Sequence, residues 1–273
     1  MEIVILLCLI ALGASAGIMG SLFGLGGGVI FVPVLMLAFD LPPAEAAAVS
    51  LVGIVAGSVG ASSVFIEKGL ANVRLGLLLE VTTTVGAIAG ALIAGYLEDW
   101  LLSLVFCAVM VYSAVRMFMS PERVVEPEEG DGRMCFRYTD EANGDDISYK
   151  VQNTGAGSVA CVFAGMMSSM TGVGGGAIKV PVMNLLMHVP MKAASSTSSY
   201  MIGITAFSGA ITYFFSGQLD LQFAGGVAIG AFIGAFCGSY LARKMDTKDI
   251  RRYFSVVLIF MSLLVLLRVG GVL

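Results

Sequence analysis

Charge is what this chain has least of. Aspartate, glutamate, lysine and arginine make up 12% of its residues, about half of the ~25% usual in a soluble domain. With 58% hydrophobic residues over 273 positions and a mean hydropathy of +0.93, the chain carries more apolar surface than a soluble core of this length buries. That excludes an ordinary soluble protein. Histidine is nearly missing, with His188 the sole one, and the five cysteines form no Cys-x-x-Cys or cysteine–histidine group. No metal-ligand set and no cofactor are therefore expected. Cys8, Cys107, Cys161 and Cys237 lie far apart in apolar stretches and read as packing residues. Basic patches interleaved with aromatics are also lacking, so nucleic acid is not an expected partner. The first apolar run, Ile3 to Met19, has only Glu2 before it and no positive leader, and reads as a retained span.

What is present is apolar length. Eight runs, about 3–22, 44–66, 75–97, 100–119, 154–171, 193–215, 222–242 and 253–272, approach the ~20 residues that cross a bilayer. Two shorter runs, about 28–39 and 176–187, follow glycine clusters and read as half-helices or re-entrant segments. The lipid bilayer is thus the expected surrounding. The fold class is all-α integral membrane, of about five plus five helical segments, eight long and two short.

One ten-residue pattern occurs twice, 148 positions apart: Gly24-Leu25-Gly26-Gly27-Gly28-Val29-Ile30-Phe31-Val32-Pro33 and Gly172-Val173-Gly174-Gly175-Gly176-Ala177-Ile178-Lys179-Val180-Pro181. Four glycines in five residues interrupt a hydrophobic helix. At the same offset Pro42 matches Pro190, Ser50 matches Ser198, Gly69 matches Gly217, and Gly86 and Gly90 match Gly234 and Gly238. The chain therefore reads as a first membrane repeat (1–119), an acidic connector (120–153) and a second membrane repeat (154–273). The connector holds nine acidic and four basic residues, a net of −5, and reads as water-exposed. Within it, 134–138 and 147–151 alternate in character around Asn143-Gly144, which predicts a small β-hairpin.

Basic residues orient the halves. Lys68 and Arg74 precede run 75–97, whereas Glu98 and Asp99 follow it. In the second half Asp220 precedes run 222–242, and Arg243, Lys244, Lys248, Arg251 and Arg252 follow it. By the positive-inside rule the two repeats are inverted and the connector is cytoplasmic, in a protein of the cell membrane. Inversion needs an odd number of crossings per half: five if the short runs cross, three if they are re-entrant.

Inverted repeats bring the two glycine clusters together near mid-membrane, where the helices starting at 28 and 176 offer N–H groups to a small anion. The substrate-binding candidates are Gly26, Gly27, Gly28, Gly174, Gly175, Gly176, Lys179, Asn184, Ser198 and Tyr200, with Ser168, Ser169 and Thr171 weaker. Lys179 replaces Phe31 of the first copy, and an intramembrane lysine marks function. It can meet an anionic substrate, or Glu80, the carboxylate inside run 75–97 and a candidate for ion coupling. Enzyme chemistry is not expected. No Gly-Lys-Ser/Thr follows the glycines, and Ser208-Gly209 has no facing-helix histidine to activate it.

The duplicated Gly-x-Gly-Gly-Gly-x-x-x-x-Pro, in two hydrophobic halves joined by a polar middle, resembles the TauE/SafE sulfite exporter family over nearly the whole chain. That resemblance implies export of sulfite or organosulfonates such as sulfoacetate, driven by an ion gradient. The acidic connector is not part of the family pattern. Export would proceed by alternating access; the alternative is an anion channel, or a permease for another small organic anion. A homodimer is compatible with a transporter of this size.

Overall fold

A computed structural model describes residues 3–93, 99–119, 125, 134–171, 175–217 and 219–269. Ten helices and one hairpin run in the order α1 (Ile3–Phe23), α2 (Gly28–Ala38), α3 (Pro43–Glu67), α4 (Val73–Ile93), α5 (Asp99–Met119), β1 (Cys135–Asp140), β2 (Asp145–Lys150), α6 (Thr154–Thr171), α7 (Gly176–Pro181), α8 (Met191–Phe215), α9 (Leu221–Lys244) and α10 (Thr247–Val269). Each of the eight long apolar runs is a helix, and each short run starts at its cluster's last glycine. The second short run is not uniform. Pro181 ends the α-helical turn of α7, and Val182–Leu186 continue as a π-turn, because proline supplies no N–H for the regular ladder.

Small residues set the packing. Gly13 of α1 lies against Val227 and Gly230 of α9, and Gly17 against Ala231 and Ala235, so the two helices run parallel in close contact. Gly53 and Gly57 of α3 meet Val227 and Ala231 of the same helix. Gly86 of α4 abuts Val162 of α6, and Gly165 abuts Thr83. Backbones approach this closely only where no side chain intervenes. In α3 and α8, Gly203 faces Ser58 and Gly209 faces Leu51, which makes them antiparallel; α5 packs on α10.

Large apolar side chains point the other way. Val81, Val85 and Ile88 of α4, and Ile229, Phe232 and Ile233 of α9, are exposed while Gly226, Gly230, Ala231, Gly234, Ala235 and Gly238 of α9 are buried. That distribution, small inside and bulky apolar outside, suits lipid as the solvent. By length and composition alone, among the described residues, Ile3–Phe23, Glu45–Glu67 and Leu221–Lys244 are long and apolar enough to cross a membrane, and Thr154–Ser168 and Gly176–Leu186 are shorter apolar helices. Polar residues set the other long helices apart: hydroxyls at 195–199 in α8, Arg251 and Arg252 in α10. Cys8 and Cys237, expected as packing residues, are exposed.

The hairpin forms where alternation and Asn-Gly place it, with Cys135 paired to Lys150 and Asp140 to Asp145. Its loop is four residues long, with Gly144 at φ +77° and Ala142 N–H bonded to Asp140 Oδ1. One face of the hairpin departs from the water-exposed reading of the connector, while Arg137, Thr139 and Asp145 on the other are exposed. Tyr138, Asp140, Tyr149 and Val151 are buried, because the hairpin lies on the helix ends. It touches Asn72 before α4, Lys192 at the start of α8 and Arg243 at the end of α9. The basic loops of the two halves therefore share one end of the protein, under the hairpin.

Candidate functional site

The first glycine cluster is a buried turn between α1 and α2. Gly24, Gly26 and Gly27 have φ of +70°, +74° and +82°, a region closed to most residues with a Cβ. The turn sits inside the protein: Gly24 lies against the Ser195 backbone of α8, and Ser198 Oγ donates to the Gly24 carbonyl at 2.7 Å. The second cluster meets the first. A Cβ on Gly176 would lie 2.2 Å from the Gly24 carbonyl oxygen and 3.0 Å from Leu25 Cα, so only glycine permits this contact.

Lys179 is fully buried beside that junction. Its side chain folds back over the start of α7, with Nζ 3.6 Å from where a Gly175 Cβ would stand. An ammonium at a helix N-terminus opposes the helix dipole and needs a compensating anion. Glu80 of α4, 3% exposed, supplies it at 2.9 Å. Thr205 of α8 completes a triad, its hydroxyl donating to Glu80 Oε1 and accepting from Lys179 Nζ at 3.2 Å. Of the two partners open to Lys179 in the sequence, the structure holds Glu80.

The model of the family described as "Sulfite exporter TauE/SafE" matches residues 9–265. The chain belongs to this family. It is a multi-pass membrane transporter by that membership and by its apolar helices. Similar proteins include the "Probable membrane transporter protein YunE" of Bacillus subtilis, 28% identical over 93% of this chain and 94% of that one. The "Probable membrane transporter protein MJ0441" of Methanocaldococcus jannaschii is 24% identical over 95% and 94%. The "Sulfite exporter TauE/SafE family protein 5" of Arabidopsis thaliana is 28% identical over 43% of this chain and 28% of its own length. No solved structure matches the transporter.

Not every residue expected at the site lies at the junction. Gly26 packs against Ile54 and Ile202, Gly27 against Ala16, and Gly28 against Ile54 and Ser50. Asn184 Nδ2 donates to the Val189 carbonyl at 3.0 Å, within the end of its own helical segment. Tyr200 packs its ring on Gly76 of α4. Gly174 lies outside the described residues, as do the side chains of Ser169 and Thr171.

One polar residue beside Lys179, Thr205, escaped the sequence reading. Thr205 lies seven positions after Ser198, two turns along the same face of α8, which was a usable signal. Ser50 and Ser199 have buried hydroxyls with no hydrogen-bond partner among the described residues. Ser199 also lines a cavity of about 10 Å³ with Gly26, Ser58 and Gly20, room for about one water.

Proposed function

We propose that the transporter exports small sulfur oxyanions, sulfite or organosulfonates such as sulfoacetate, by alternating access at the glycine junction between two inverted repeats. The sulfite exporter family to which the chain belongs supports the substrate class. One observation carries the site: a buried ammonium, Lys179, stands beside the contact between the first glycine turn and Gly176, where a small anion can approach backbone closely.

Backbone bonds that recur at the 148-residue offset support the repeats. Ile30 N–H to Gly27 carbonyl matches Ile178 to Gly175, Leu41 to Leu35 matches Val189 to Met183, and Gly69 to Ile66 matches Gly217 to Phe214. Asp40 and His188, equivalent positions, both have positive φ. Packing recurs too, since α1 on α9 is the counterpart of α6 on α4. The equivalent helices α3 and α8 run antiparallel, as a two-fold axis in the membrane plane requires. The division into repeats 1–119 and 154–273 and a cytoplasmic connector follows from this reading.

Glu80 neutralises Lys179. An arriving oxyanion takes over the ammonium, with the Ser50 and Ser199 hydroxyls as further donors, and Glu80 is left without its counter-ion. The coupling role is assigned to Glu80, the carboxylate whose partner the anion takes. Isothermal calorimetry of sulfite and sulfoacetate on purified protein tests the site. Wild type should bind and Gly175→Leu, which displaces Lys179, should not; equal affinity of the two would overturn the assignment.

A further inference from the structure

Four charges under the hairpin, three of them buried and Glu141 partly exposed, are not used by this transport scheme. Asp140 pairs with Lys192, and both are at most 3% exposed. Both carboxylate oxygens of Glu141 accept from Arg243, which is 8% exposed. The two cations belong to the helical body, at the start of α8 and the end of α9. The two carboxylates belong to the hairpin. Lys192 and Arg243 also border a narrow space with Ser195 and Ser196, at the N-terminal turn of the 25-residue α8.

Arg243 has more donors than the hairpin fills. Its Nε and Nη1 are buried with no hydrogen-bond partner among the described residues, and its guanidinium lies 4.9 Å from the Tyr240 ring centroid. A guanidinium, an ammonium, the Ser196 hydroxyl, a helix N-terminus and the Ser195 hydroxyl, once turned from the Lys192 carbonyl to which it donates at 3.2 Å, form a donor set for an oxyanion. Hydrogen bonds also tie the hairpin to the helix that holds the glycine junction: Asn72 donates its side-chain amide to Tyr149 and its backbone N–H to Thr197, next to Ser198, which holds Gly24.

We propose that Lys192, Arg243, Ser195 and Ser196 form a second anion site at the hairpin end of the transporter. It receives small oxyanions of the transported class, and Asp140 and Glu141 occupy it as a tethered competitor. This rests on the anion-transport reading for its ligand class, and the cations, hydroxyls and carboxylates are its own basis. The tether gives the carboxylates a high effective concentration, so an anion binds only in the fraction of molecules whose hairpin has lifted. The hairpin thereby holds the mouth closed until anion accumulates on that side.

The test uses the full chain with the junction site disabled by Glu80→Gln/Lys179→Met, and radiolabelled sulfite as the probe. Adding Asp140→Asn/Glu141→Gln should tighten sulfite binding about tenfold, and a further Arg243→Gln should abolish it. Sulfite binding no stronger than in the disabled parent would overturn the proposal. Limited proteolysis of the wild-type protein is independent of how those variants fold. Sulfite should speed cleavage in the loop 141–144, and equal ionic strength of chloride should not; cleavage slowed or unchanged by sulfite contradicts a competing hairpin. Loss of Lys179-dependent binding in the wild type with retention at Arg243 would instead refute the junction site and leave this one standing.

Discussion

Removing Lys179 should unfold the transporter more readily than removing both members of its ion pair. Lys179 is fully buried and Glu80 is 3% exposed, 2.9 Å apart. Lys179→Met leaves a carboxylate in a dry site with only Thr205 to donate to it. Breaking a buried pair on one side costs roughly 3–5 kcal/mol, whereas replacing both partners is often close to neutral. For a chain of this size each kcal/mol moves the midpoint by roughly 2–4 °C, so the single variant should melt roughly 6–20 °C below wild type. Glu80→Gln/Lys179→Met should regain at least half of that loss, and both variants should fail to transport. Thermal unfolding in detergent, followed by circular dichroism, reads the first part, and flux into proteoliposomes the second. A single variant within about 2 °C of wild type would mean that the carboxylate is not held in a dry site, and the argument for its role in coupling would fall with it.

Other outcomes follow from the same geometry. Gly176→Ala places a Cβ 2.2 Å from the Gly24 carbonyl and should cost roughly 1–3 kcal/mol of thermal stability; Gly225→Ala in α9, with open space around it, should be neutral or gain up to about 1 kcal/mol. Burial pushes the Tyr149 hydroxyl up to about 12 from 10, against the pull of the Asn72 hydrogen bond. The unfolded chain therefore loses this proton first, and the hairpin's contribution is intact below pH 10 and falls as pH rises from 10 towards 12. That loss is roughly 2–3 kcal/mol, read as hairpin proteolysis against pH, and Tyr149→Phe should remove that pH dependence. Gly27→Ala, at φ +82° with the Ala16 carbonyl 2.7 Å from its Cβ, should lower the midpoint more than Gly69→Ala, which has positive φ but free space; paired melting curves check the order.

Local signals carried the sequence reading far. Apolar length located every long helix to within a few residues, except at α10, whose charged first turn, Thr247 to Arg252, hid its start. Glycine clusters located the breaks, and Asn143-Gly144 with alternating neighbours located the hairpin. Pairings between distant residues were not legible. Nothing in Asp140 or Lys192, 52 positions apart, or in Glu141 and Arg243, 102 apart, signals that they meet; an acidic segment of this kind reads as solvated. For Lys179 the sequence supplied a short list of partners because Glu80 was the carboxylate within a span, and the fold chose among them. The π-turn after Pro181 was missed because hydrophobic pattern alone does not distinguish a π-turn from α-helix.

Counterflow of labelled sulfite in proteoliposomes tests the central claim most directly. Vesicles loaded with unlabelled sulfite should accumulate external label transiently, in a saturable manner, and vesicles carrying Glu80→Gln/Lys179→Met should not. Flux that rises linearly with sulfite and shows no counterflow, or counterflow that survives in the double variant, would contradict an alternating-access site built on Lys179.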